Sequence, residues 1–266
     1  MDRIRTLLLL AIIFSLLPGC AATRRDTHKW VFLPSAFEVS VGQSVASGIQ
    51  RQFKPLDDRE IVTYVQSLGY RIASVCDRQD LDYHFEVLDS PQVNAMAAPG
   101  GFVYVTTGLL AAAENEAEVV IVLGHEIGHI AARHGAQRIQ TAFGLSLAAD
   151  LISMDRKSTL FQGIAALGVN LALNGYSREN EYEADHLGMV YACRLGYDPR
   201  AAVTFFEKLK KIEKRTPSDV EIWFSTHPAT QNRVAEFGKM REQLPCRTGK
   251  TEAKRYQQVM ASLKAH

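Results

Sequence analysis

The residues of this chain best placed to do chemistry together are His125, Glu126 and His129, in the run His125-Glu126-Ile127-Gly128-His129. Residues four apart on an α-helix share a face, so both imidazoles can converge on one cation. Glu126 lies one step round the helix and can reach a water on that cation as a general base. A hydrolytic zinc centre needs a third protein ligand and keeps one position open for water. That ligand should come from another element crossing the first. The downstream carboxylates predicted on a helix are Glu179, Glu181, Glu183 and Asp185. Glu181 and Asp185 share a face, Glu183 points roughly opposite, and Glu179 suits the dipole of the helix start. The spacing favours Glu181 as the third ligand, with Asp185 fixing the tautomer of a ligand histidine through its other ring N–H. The plainer alternative is a solvated acidic helix start.

The elements that must position these residues are legible in outline. Asn115 with Glu118 three residues on is a capping box, opening an apolar helix through about His134. Ser177 caps a second helix that runs to about Leu195 and ends at Gly196. Before them, residues 36–52 have weak helical periodicity, and Asp57-Asp58 offers an N-cap for a helix with Ile61, Tyr64, Val65, Leu68, Ile72 and Val75 on one face. Residues 83–88, 93–97 and 102–106 read as short strands, the last two separated by Pro99-Gly100-Gly101. Two apolar stretches, 141–152 and 160–173, are split by Asp155-Arg156-Lys157, and Asn174-Gly175 stops the second. At 12–14 residues each is too short to cross a membrane, which takes about 17 or more. They read as a packed or partly mobile helical hairpin over the site, with shallow membrane contact or self-association as the alternatives. Further helices are predicted from Asp198-Pro199 to about Lys214, over 229–244 and over 251–264. A small sheet beside a large helical body makes the class α+β.

Composition supports this reading. The chain has 266 residues, 47% of them hydrophobic and 22% charged, which excludes disordered, collagen-like and disulfide-scaffold classes. A net charge of +1 gives no electrostatic footprint for nucleic acid, so no nucleic-acid partner is expected. The N-terminus reads as a targeting segment: Arg3 and Arg5, then an apolar run over 6–17, then Leu17-Pro18-Gly19-Cys20. That ending resembles a bacterial lipobox, which implies cleavage before Cys20 and its lipidation. Two or more acyl chains would anchor it durably to a membrane. Residues 1–19 are thus expected to be a lipoprotein signal peptide, 20–35 a lipidated Cys and tether, and 36–266 the catalytic domain. Ala21 after the Cys favours the outer membrane, facing the periplasm. Of the three remaining cysteines, Cys193 and Cys246 are the first pairing to expect, because both lie near the ends of C-terminal helices, leaving Cys76 over.

His125 to His129 followed by Glu181-Tyr182-Glu183-Ala184-Asp185 resembles the gluzincin metallopeptidases of the CAAX-prenyl-protease/HtpX family. Within it, the nearest likeness is to small periplasmic BepA- and LoiP-like lipoproteins. Asn94-Ala95 before Pro99-Gly100-Gly101, Gly108-Leu109-Leu110, and Thr226-His227-Pro228 with Arg233 follow the family order. The resemblance covers about residues 37–244. It implies a mainly helical zincin domain with one Zn2+ on His125, His129 and Glu181, and with Glu126 as the base. It also implies an edge strand beside the zinc helix, at which Asn94 and Ala95 meet substrate backbone. The tetratricopeptide tail of BepA-like members is not expected, since about twenty residues follow Leu244. The activity implied is endopeptidase cleavage of extended or misfolded envelope polypeptides in quality control. The rival readings are a non-cleaving chaperone-like module, disfavoured by the intact Glu126, and a structural zinc lipoprotein. His227 alone reads as a turn residue before Pro228. The resemblance gives it two sharper roles, a latch at the fourth zinc position, which is preferred, or an oxyanion donor. His134, five residues after His129, falls about 140° round a continuous helix and is not expected to ligate the same ion. Arg233 reads equally as a partner of a carboxylate near the site or as a surface charge.

The lipobox has its own test. Cys20→Ala is expected to release a soluble protein or leave an uncleaved precursor, read by fractionation and intact mass. An unmodified protein cut elsewhere would contradict the anchor.

Overall fold

The computed structural model describes residues 30–144, 158–227 and 233–263. The chain divides after Trp30, and the architecture from Val31 onward is one unit. Its elements in order are α1 (Ser35–Gln52), α2 (Arg59–Ala73), β1 (His84–Leu88), β2 (Ala95–Ala98), β3 (Phe102–Thr106), α3 (Thr107–Ala112), α4 (Glu116–Ala131) and α5 (His134–Phe143). Then come α6 (Thr159–Asn174), α7 (Arg178–Arg194), α8 (Ala201–Arg215), α9 (Pro217–Thr226), α10 (Arg233–Gln243) and α11 (Ala253–Val259). This is the expected α+β class. Among the described residues no helix is long and apolar enough to cross a membrane.

The three strands lie in the order β1-β3-β2, with β1 parallel and β2 antiparallel to β3. β2 is therefore an edge strand, as expected. Gly100 and Gly101 turn β2 into β3 at φ 80° and 105°, where a side chain would be strained. Period-two alternation divides the sheet between two cores. Ala95, Ala97, Val103 and Val105 join the larger core, with α2, α4, α7 and α8. Met96, Ala98 and Tyr104 join a smaller one with Phe37 and Val41 of α1, Ile139 of α5, and Phe161 and Ile164 of α6.

Helix α4 is apolar on nearly every side, the pattern of a buried helix, and residues 116–130 are all buried. Asn115 Oδ1 accepts from the Glu118 amide at 3.1 Å, but Glu118 returns its carboxylate to the Glu114 amide at 2.7 Å rather than to Asn115. The cap is thus only half a box. The helix also stops earlier than its apolar pattern predicts, at Ala131. Arg133 takes φ 60°, and α5 starts afresh at His134. Tertiary bonds hold that break. The Arg133 guanidinium donates to Glu38 and to the carbonyls of Val31 and Leu33. Glu38 is buried and also takes two bonds of 2.9 Å from Arg78, which reaches the Ile130 carbonyl at 3.1 Å.

Other boundaries shift modestly. The stretch 93–97 forms a strand only from Ala95, and the helix over 229–244 is described from Arg233. No helix is expected before His227 from the sequence, yet Pro217 opens α9, and His227 is its C-cap. The stretch 160–173 falls in α6, packed against α1, β2, α5 and α9; of its expected hairpin partner 141–152, residues 145–152 lie outside the described residues. Cys193 and Cys246 are bridged with Cα atoms 5.7 Å apart, and Cys76 is free and buried.

Candidate metal centre

Small residues bring α4 and α7 into backbone contact. A Cβ on Gly188 would lie 2.8 Å from the His125 nitrogen, and one on Gly128 would lie 3.1 Å from the Ala184 carbonyl oxygen. Each of these α4 contacts is beside a histidine of the motif, and each α7 contact is within three residues of Glu181 or Asp185. The crossing therefore delivers the two carboxylates to the two imidazoles.

His125 Nε2 lies 3.0 Å from His129 Nε2. Glu181 places Oε2 3.5 Å from His125 Nε2 and Oε1 3.4 Å from His129 Nε2. His227 Nδ1 is 3.2 Å from His125 Nε2 and 3.1 Å from Glu181 Oε2. One donor atom from each of these four buried residues falls within 4.8 Å of the others. An ion bound tetrahedrally at about 2.0–2.2 Å from its donors would space them roughly 3.3–3.6 Å apart. Glu181 Oε1 and His227 Nε2 are buried without a hydrogen-bond partner, a costly arrangement unless something else satisfies them. Three buried carboxylates, Glu126, Glu181 and Asp185, face one buried guanidinium, Arg233. A divalent cation would neutralise that excess. The residues fit a metal ion.

Around the donors, the ring tautomers have partners. Asp185 Oδ1 is 2.9 Å from His125 Nδ1, which leaves Nε2 as the free lone pair. Asp185 is held in turn by Arg233, through bonds of 2.8 Å from Nε and 2.7 Å from Nη2. Burial would raise the Asp185 carboxyl, but the Arg233 charge outweighs it and holds the pKa below its usual value. Burial also opposes ionisation of Glu181, yet His227, His125 and His129 hold it well below the carboxylate range. For His125, burial pulls the pKa down while Asp185 and Glu181 raise it to about 10, so protons compete with a metal there. Burial pushes His129 well down and Glu126 up.

Glu126 is almost wholly buried, and its Oε1 has no hydrogen-bond partner, with His227 Nε2 3.5 Å away. Asn94 and Ala95 are not among the donor residues. Both are buried at the start of β2, and the Asn94 side-chain oxygen is also without a partner. Cys20 lies outside the described residues.

The comparisons with known proteins agree with this geometry. The profile of peptidase family M48 matches residues 61–241. The chain belongs to peptidase family M48. The family implies a divalent metal, and His125, His129, Glu181 and His227 lie close together. The M48 chain is 33% identical over 192 residues to the mitochondrial metalloendopeptidase OMA1 of Arabidopsis thaliana, covering 71% of this chain and 38% of that protein. It is 30% identical over 234 residues to the β-barrel assembly-enhancing protease of Escherichia coli, covering 81% of this chain and 47% of the relative. An OMA1 from Schizosaccharomyces pombe is 32% identical over 184 residues, covering 68% and 52%. The M48 chain thus spans about half the length of these relatives or less.

Sequence reasoning missed some of the site's supports. From the sequence Arg233 reads equally as a site or a surface residue, yet it is buried and doubly bonded to Asp185. Tyr176 stacks on His129 with ring centres 4.2 Å apart, and Trp223 lies 4.6 Å from the His227 ring. Arg233, seven residues past the end of α9, carried a signal in its family position. The aromatic contacts carried none.

Because Asp185 fixes the His125 tautomer, Asp185→Ala is expected to weaken divalent-metal affinity by about 10–100-fold. Competition titration against a chromophoric chelator measures this, and unchanged affinity would contradict the assignment.

Proposed function

We propose that this chain is a zinc endopeptidase that cleaves extended or misfolded polypeptides of the bacterial envelope, with His125, His129 and Glu181 as its zinc ligands. The observation that carries the reading is Glu126, a buried carboxylate with an unpartnered oxygen, placed beside a cluster of four metal-donor residues. Zinc when bound would polarise the scissile carbonyl and make water a better nucleophile at neutral pH. Glu126 takes the proton of the attacking water and delivers it to the leaving amine. Its burial raises its pKa towards the range in which it both accepts and releases that proton. Asp185 and Arg233 hold His125 still while this happens. Substrate in extended form pairs with the edge of β2, and the unpartnered oxygen of Asn94 accepts a main-chain N–H.

His227 serves as a latch in this reading. Its Nδ1 stands within the donor set, where it would compete with water and substrate until displaced. The oxyanion alternative is favoured by one observation, the unpartnered Nε2. Similarity to a relative named a β-barrel assembly-enhancing protease supports an envelope setting for this reading. Anchoring through Cys20, with the domain facing the periplasm from the outer membrane, belongs to the same proposal. A non-cleaving chaperone-like module would have no use for a base beside the metal.

Glu126→Gln is expected to keep zinc and lose proteolysis, whereas His129→Ala and Glu181→Ala lose both. Metal content and cleavage of an unfolded protein are the two readouts. His227→Ala should raise proteolysis, including self-cleavage; a fall of about 100-fold or more would instead make it the oxyanion donor. Full zinc occupancy in Glu181→Ala under stringent free-zinc conditions would contradict the ligand set.

A further inference from the structure

His125 has a carboxylate on its outer nitrogen, but among the described residues no carboxylate meets the outer nitrogen of His129. His134 stands there instead, with Nδ1 2.9 Å from His129 Nδ1. The other His134 nitrogen, Nε2, lies 3.3 Å from Glu183 Oε2. His134 is buried, while the Glu183 side chain is about two-fifths exposed. On an unbroken helix a residue five positions on would point away from His129. The left-handed turn at Arg133, tied down by Glu38 and by the carbonyls of Val31 and Leu33, brings the chain back.

We infer that His134, seated by Glu183, is the positioning residue that sets the tautomer and orientation of His129 for metal binding. The inference rests on the proposed metal centre and extends it. Every proton in the chain is accounted for. A His129 that offers its Nε2 lone pair to a metal carries its hydrogen on Nδ1. That hydrogen is donated to the His134 Nδ1 lone pair, so His134 carries its own hydrogen on Nε2 and donates it to the Glu183 carboxylate. Each imidazole therefore has one allowed tautomer, and both are set by the carboxylate at the end. His134 itself is no ligand of this ion, because it meets His129 on the ring edge opposite Nε2. Glu183, which helical geometry directs away from the ligand face of α7, reaches the centre by this indirect route.

The two ligand histidines are thus supported differently. Asp185 acts on His125 directly and is locked by Arg233. Glu183 acts on His129 through a neutral ring and faces solvent on one side. Loss of the His134 acceptor leaves the buried His129 N–H unpaired and removes the bond that fixes its tautomer.

Zinc affinity of the full chain, measured by competition with a chelator, tests this without relying on activity. His134→Phe keeps the ring but removes the acceptor, and is expected to weaken zinc binding by about 10–100-fold. His134→Gln, whose amide oxygen can accept the same hydrogen, should recover most of the loss. Glu183→Ala sits at a part-exposed position where misfolding is not a concern, and should weaken binding by about tenfold in the wild-type background. It should have no further effect in His134→Phe, since its influence passes through that ring. Wild-type affinity in His134→Phe, or an undiminished Glu183→Ala loss in the His134→Phe background, would overturn the inference while leaving the metal centre intact. A wild-type chain that binds no zinc would overturn both.

Discussion

The close crossing of α4 and α7 is the constraint on which the site depends. Gly124 and Gly128 on one helix meet Ala184 and Gly188 on the other with almost no side chain between the backbones. At an ordinary interhelical distance of 8–10 Å, set by larger side chains, two short carboxylates could not reach two imidazoles on the opposing helix. The small residues are interleaved with the functional ones: Gly124 precedes His125, Gly128 precedes His129, and Ala184 precedes Asp185. One stretch of each helix therefore supplies both the packing and the chemistry. The surrounding helix is apolar, so the rest of α4 has no alternative to burial.

Burial of this kind carries an electrostatic cost. Ionised groups taken out of water need partners, and an incomplete network is worse than an apolar one. Arg233 meets part of that need from α10 by binding Asp185 and lying 3.4 Å from Glu181. It also donates to the His227 carbonyl at 3.2 Å, so one guanidinium ties the carboxylates of α7 to the C-cap of α9. What it leaves unmatched is the pair Glu126 and Glu181, each with a buried oxygen lacking a hydrogen bond. A divalent cation beside a general base is the arrangement that makes sense of both. The buried polar groups without hydrogen-bond partners are thus the ones to which the proposed function assigns the base and a metal ligand.

Much of this was legible in the residues because it is local. The four-residue spacing of His125 and His129, and of Glu181 and Asp185, is a property of any helix, and the caps at Asn115 and Ser177 marked where those helices begin. β3 was found at its full extent because Phe102 to Thr106 alternates between two buried faces. The misses were tertiary. Nothing in the run Ala131 to Gly135 announces a break, since Arg133 holds its left-handed backbone only by reaching α1 and the segment before it. The relation between His134 and His129 inverts once that break is known. The helix before His227 was overlooked because its face packs on α8, and Phe205 against Trp223 is a long-range contact with no local pattern.

The central claim is that His125, His129 and Glu181 hold zinc next to Glu126. The most direct measurement is anomalous diffraction at the zinc edge from crystals of the Glu126→Gln protein, which is expected to survive its own purification intact. One strong peak per chain is expected, bonded to Nε2 of His125, Nε2 of His129 and a carboxylate oxygen of Glu181. Crystals grown with zinc available that show no peak there, or a peak whose ligands exclude Glu181, would contradict it.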